Sequence, residues 1–212
     1  MAIKGIFFDL GGTLFSYRHV SRRHGELLTA TAARLALADP KDLKRAYATA
    51  MQEMTARYAD LDYYLHRDLF RDSLVRALEL VGAPAEEPLV DWYLDEHRDA
   101  GFGCLELKDD CHETLQALHA RGYYQSIVSN IDDDMLDPLV MREGLDRWLQ
   151  HWTSSEQARS CKPHRRFFEI CLEKSGIAAD EGDRFVAEYR KAMDEGKHTI
   201  DPVITNFKSK YA

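Results

Sequence analysis

Two kinds of apolar pattern divide this chain. Near the start, Ile6-Phe7-Phe8 is a short continuous apolar run that leads into Asp9, Gly11 and Gly12. A run of this kind bounded by turn residues predicts a buried strand. The glycines end it and let the backbone turn sharply and approach a ligand. From Ser16 to Ala100 the apolar residues recur at helical spacing instead. Leu27, Leu28, Ala32 and Leu35 make one face, and Leu43, Tyr47, Ala50, Met51 and Met54 a second. Leu65, Leu69, Phe70, Leu74, Leu78 and Val81 make a third, and Val90, Trp92 and Tyr93 open a fourth. Asp39-Pro40, Ala59-Asp60 and Gly82-Ala83-Pro84 mark the helix ends. The block therefore predicts a compact bundle of about four helices.

After this block, helix and strand signals alternate. Leu115 and Leu118 lead to a helix stop at Arg121-Gly122, and Tyr123 to Val128 is rich in β-formers. Asp132 to Gly144 is helical, Leu149 to Thr153 carries a sparse strand signal, and Phe167, Phe168, Cys171 and Leu172 mark a helix that stops at Gly176. Alternation of this kind predicts an α/β fold, a parallel sheet with helices on its faces. The first strand belongs to that sheet, so the helical block is an insertion. The expected boundaries are a core of residues 1–15 and 104–212 and an inserted helical region of residues 16–103.

Composition narrows the partners. The chain has 212 residues, of which 45% are hydrophobic, enough for a packed core. Its formal net charge of −8 argues against a nucleic-acid binder, which presents a basic surface. No apolar run approaches the roughly 18 residues of a membrane span. Met1 to Gly5 passes directly into the first strand, without the charged and apolar regions of a signal peptide. Cys104, Cys111, Cys161 and Cys171 form no CxxC pair, so free thiols are expected. These features predict a cytoplasmic protein.

Three polar signals follow strand ends or precede helices: Asp9-x-Gly11-Gly12-Thr13, Val128-Ser129-Asn130, and Cys161-Lys162-Pro163. If the strands are parallel neighbours, these signals line one edge of the sheet, where open α/β folds bind ligands. A carboxylate, hydroxyl and amide groups and a cation then converge, a set suited to phosphoryl transfer. Each residue also has a plainer reading: Asp9 or Ser129 as a cap, Thr13 as a loop brace, Lys162 as a surface lysine. His19 and His24 fall in the approach to the helical block, and a surface role is expected because nothing in the sequence pairs them with an acid.

Taken in order, the FFDLGGTLF motif, the helical insertion, the IVSN strand end and the SSEQARSCKP segment resemble the haloacid dehalogenase-like hydrolase superfamily. The resemblance spans most of the chain. It implies a Rossmann-like core with an inserted helical cap, with Asp9 as a nucleophile that forms a covalent aspartyl intermediate. It implies that Ser129 and Asn130 hold substrate oxygens beside Gly12 and Thr13, and that Lys162 balances charge on nucleophile and substrate. It also implies magnesium bound by Asp9, the Gly11 carbonyl and a late acid. Gly182-Asp183 has the spacing of that late motif, with Glu188 as the second candidate.

Two departures shape the functional expectation. Gly11 occupies the place of a second aspartate that serves as proton donor in family phosphatases. General acid–base catalysis is typically worth about 10²–10⁴-fold. Without it, alkyl phosphates become poor substrates and activated phosphates suffer less. Family dehalogenases and phosphonate hydrolases carry a non-acidic residue at that place. The second departure is that the segment before Asp183 lacks a strand pattern. The expectation is a magnesium-dependent phosphatase of a small phosphorylated metabolite. The alternatives are a metal-independent 2-haloacid dehalogenase and a catalytically impaired binding protein.

Overall fold

In a computed structural model, residues 4–177 are described. In chain order the elements are β1 (Gly5–Phe8), β2 (Phe15–Ser16), α1 (Val20–Arg34), α2 (Pro40–Tyr58), α3 (His66–Leu80), α4 (Glu87–Cys104) and β3 (Glu106–Leu107). There follow α5 (Cys111–Ala120), β4 (Tyr124–Ser129), α6 (Asp133–Arg142), a single 3-10 turn at Leu145–Arg147, β5 (His151–Ser154), α7 (Ser155–Ala158) and α8 (Arg165–Ser175). The described residues form two compact units, one running to Ser16 and resuming at Leu107, the other Tyr17–Glu106.

The first unit is an α/β layer. Its sheet has the order β1-β4-β5, and both strand pairings are parallel. Phe8 pairs with Ile127 and Ser129 with Ser154, so the chain leaves β1, β4 and β5 at the same edge. From Gln125 to Ser129 every residue of the central strand is buried, as expected where both faces of a parallel sheet are covered. Val128 packs with Ala158, Phe167, Phe168 and Cys171, and α8 thereby lies on the sheet. Buried Gln125 donates from Nε2 to the carbonyls of Leu115 and Trp148, while its Oε1 has no hydrogen-bond partner among the described residues. The helix α8 ends at Gly176 in the left-handed region, φ 66°, where glycine carries no Cβ penalty.

The second unit is the helical insertion. Its core joins Leu27, Leu28 and Ala32 of α1 to Leu43, Ala46, Tyr47 and Ala50 of α2. Leu74, Ala77 and Leu78 of α3 and Val90 and Tyr93 of α4 complete it. Most of these are the residues whose spacing predicts the helices. Asp39 caps α2 by accepting from the Lys41 N–H at 2.8 Å, with Pro40 in the first helical position.

Two elements depart from the sequence expectation. The fifth strand starts at His151 rather than Leu149, because Trp148 closes the 3-10 turn on the Leu145 carbonyl and the Leu149 N–H donates to that same carbonyl. The two-residue ribbon of β2 and β3 carries no periodicity to read. His24 is also not a surface residue. It is half-buried in α1, with Nε2 2.9 Å from the Tyr93 hydroxyl and its ring 4.6 Å from that of Tyr47. His19 does have an acidic partner, Glu106, at 3.6 Å.

Candidate active site

Asp9 directly follows the last residue of β1. Its Oδ1 accepts from the Leu10 N–H at 2.8 Å and from the Ser129 hydroxyl at 3.0 Å, and lies 2.9 Å from the Lys162 ammonium. Among the described residues, these three donors all fall on Oδ1. The Asp9 side chain keeps 24% of its exposure while that of Lys162 keeps 5%. A lysine so deeply buried needs a compensating charge, and the carboxylate supplies it.

Lys162 is fixed at both ends. Its ammonium also donates to the Val128 carbonyl at 2.9 Å. Its backbone N–H donates to Asn130 Oδ1 at 2.7 Å, and its carbonyl accepts from Asn130 Nδ2 at 2.9 Å. Val128, Ser129 and Asn130 are consecutive, so the end of β4 organises both the carboxylate and the cation. Beyond it, the Ile131 N–H donates to the Ser155 hydroxyl at 3.1 Å and the Asp133 N–H to Glu156 at 2.9 Å. The peptide between Lys162 and Pro163 is cis.

The loop after Asp9 turns through Gly12, whose φ of 77° lies in the left-handed region and favours glycine. Gly12 N–H donates to the Phe15 carbonyl at 2.8 Å, and Leu14 and Phe15 N–H both donate to the Leu10 carbonyl at 2.9 Å. Lys108 braces this loop from the head of α5. Its ammonium donates to the Gly12 carbonyl, and its own N–H donates to the Leu14 carbonyl at 2.9 Å. Cys111 adds a weaker Sγ contact to the same Leu14 carbonyl at 3.3 Å.

The structure thus brings Asp9, Ser129 and Lys162 together at one edge of the sheet, and it places Asn130 against the Lys162 backbone. Thr13 has no side-chain hydrogen bond among the described residues. Gly11 forms an isolated bridge with Phe15. Asp183 and Glu188 lie outside the described residues. Lys108 escapes sequence reasoning because no motif spacing ties it to Gly12. The only signal is a cation at the point where the core resumes after the helical block.

The expected magnesium ligands find limited support in the donor set. Among the described residues, no three His, Cys, Asp or Glu side chains cluster in a way that suits a metal. The Asp9 carboxylate already holds an ammonium on Oδ1. The described residues alone therefore do not compose a magnesium site.

This geometry has relatives. A family model for haloacid dehalogenase-like hydrolases matches residues 3–184, and the chain belongs to that family. It is 24% identical over 181 residues to an (S)-2-haloacid dehalogenase of Burkholderia cepacia, covering 85% of this chain and 73% of that protein. It is 23% identical over 202 residues to a glyceraldehyde 3-phosphate phosphatase of Pyrococcus abyssi, covering 93% and 80%. Among solved structures it resembles the L-2-haloacid dehalogenase of Xanthobacter autotrophicus with chloropropionic acid covalently bound. That likeness has a TM-score of 0.57 and 24% identity and covers 84% of this chain and 66% of that one, which supports the shared fold. No helix among the described residues is long and apolar enough to cross a membrane.

Proposed function

We propose that the protein hydrolyses a small 2-haloacid through an ester formed on Asp9. The observation that carries this reading is the convergence of Leu10 N–H, Ser129 Oγ and Lys162 Nζ on Oδ1 of Asp9. In the first step Oδ2 attacks the halogen-bearing carbon. The new C–O bond forms as the carbon–halogen bond breaks, and the halide leaves with the bonding pair. Halide departs without a proton, so the missing acid at Gly11 costs nothing in this step.

Oδ1 is now the carbonyl oxygen of an ester. In the second step water attacks the Asp9 carboxyl carbon, and negative charge develops on Oδ1. The three donors already in place form an oxyanion hole for that charge. Collapse of the intermediate releases the 2-hydroxy acid, restores the carboxylate and leaves one proton with the solvent. Donors aimed at the carboxyl oxygen are most useful when the carboxyl carbon is attacked, and that happens in ester hydrolysis. In an aspartyl-phosphate pathway water attacks phosphorus instead.

A second reading keeps Asp9 as nucleophile and takes an activated phosphate as substrate. The similarity to the Pyrococcus abyssi phosphatase favours it, and Lys162 beside Ser129 suits a phosphoryl group as well. Two assays separate the readings. Chloride release from 2-chloropropionate in excess chelator is expected for the wild type and lost in Asp9→Asn. If no 2-haloacid releases halide while acetyl phosphate turns over with magnesium, the dehalogenase reading fails and the second stands.

A further inference from the structure

The amide of Asn130 has both ends on one partner. Oδ1 accepts from the Lys162 N–H at 2.7 Å, and Nδ2 donates to the Lys162 carbonyl at 2.9 Å. A primary amide offers two donors and one acceptor oxygen, and here the acceptor and one donor are both engaged by a single residue's main chain. We propose that Asn130 is a positioning residue that sets the main chain of Lys162 so that its ammonium meets Oδ1 of Asp9. The inference rests on the reading of Asp9 and Lys162 as the reacting pair.

The clamp is built on a rigid base. Asn130 follows Ser129, which is paired in the sheet with Ser154. On its other side the main chain of Ile131 is held in both directions by Ser155, whose hydroxyl accepts from its N–H at 3.1 Å and donates to its carbonyl at 3.2 Å. Asn130 therefore transmits the position of β4 to a loop residue 32 positions further along the chain. The lysine side chain is long and has many rotamers, and losing that freedom costs free energy. The backbone anchor at Asn130 and the ammonium contact to the Val128 carbonyl confine it from both ends. The two groups that Lys162 must relate, its own ammonium and the Asp9 carboxylate, are then held by neighbouring residues of one strand end.

The test compares Asn130→Ala, Asn130→Asp and Asp9→Asn with the wild type, using 2-chloropropionate and acetyl phosphate as substrates. Misplacement of a reacting group by about 1 Å can cost on the order of 10²-fold in rate. A positioning role predicts that Asn130→Ala lowers kcat by about 10–100-fold and keeps KM within about threefold, since only transition-state contacts are lost. Asn130→Asp keeps the acceptor for the Lys162 N–H and loses the donor to its carbonyl, so it should fall between the wild type and Asn130→Ala.

A second readout does not depend on turnover. Lys162 is nearly inaccessible, and its reductive methylation, mapped by peptide mass spectrometry, should be slow in the wild type and several-fold faster in Asn130→Ala. A higher KM with unchanged kcat, and unchanged Lys162 labelling, would overturn the proposal and return Asn130 to substrate binding. If Asp9→Asn keeps full activity, the nucleophile reading fails by itself, and the labelling result still decides whether Asn130 holds Lys162.

Discussion

At Asp9, a single oxygen gathers an amide, a hydroxyl and an ammonium. The three side chains of this group come from different places in the sequence, and each was legible for its own reason. Asp9 ends an apolar strand run before two glycines. Ser129 follows an apolar strand, and Lys162 precedes a proline and a helix. Parallel strands bring their ends to one edge, so position along the chain was enough to gather them. Side-chain direction was not legible in the same way. The pair of hydrogen bonds between Asn130 and Lys162 and the brace from Lys108 to Gly12 depend on pairings across 32 and 96 residues. No local pattern encodes such pairings. In the proposed mechanism Ser129 is one of three oxyanion donors. Removing one such donor typically costs about 10²–10³ in kcat. Ser129→Ala is expected to lose activity by about 10²-fold in steady-state assays. Its unfolding free energy should move by no more than about 1.5 kcal/mol, the net worth of one hydrogen bond. A catalytic loss matched by a large loss of stability would point to misfolding instead.

At the scale of elements, the helices were the most legible part. Their apolar residues recur every three or four positions, and burial follows that spacing. Short elements were the least legible. A two-residue strand has no period, and β5 is buried only in its second half, so its alternation is faint. The helices also carry a feature that their spacing conceals. His24 of α1 and His97 of α4 lie with ring centroids 5.4 Å apart, beside Tyr93 and Phe70. Burial lowers the pKa of both imidazoles, and in His97 burial and then the neighbouring His24 bring it to about 4. The folded unit therefore prefers His97 neutral, while the unfolded chain protonates it near the ordinary value. The corresponding stability is present above an unfolded pKa of 6.5 and is lost as pH falls toward about 4. Its size is on the order of 3 kcal/mol. Thermal unfolding of the wild type should weaken through this window, and His97→Phe should show a flatter pH dependence. Parallel curves for the two proteins would contradict this account of the histidine pair.

For the whole molecule, length and pattern already implied an α/β core interrupted by a helical insertion, and the described residues form one unit of each kind. Substrate chemistry was less legible. A carboxylate, a hydroxyl and a lysine serve phosphoryl transfer and halide displacement alike, and Gly11 removes only the acid that separates good leaving groups from poor ones. The arrangement of donors around Oδ1 adds what residue types alone lacked, because in the proposed mechanism it is the oxygen on which charge develops. The most direct test is a single turnover with enzyme in excess over 2-chloropropionate in heavy-oxygen water, followed by mass spectrometry of the peptide that contains Asp9. Attack of water on the Asp9 ester predicts one heavy oxygen in that carboxylate and none in the first 2-hydroxy acid released. Heavy oxygen in the hydroxy acid, with the Asp9 peptide unlabelled, would mean that water attacks the substrate directly, and the central claim would be wrong.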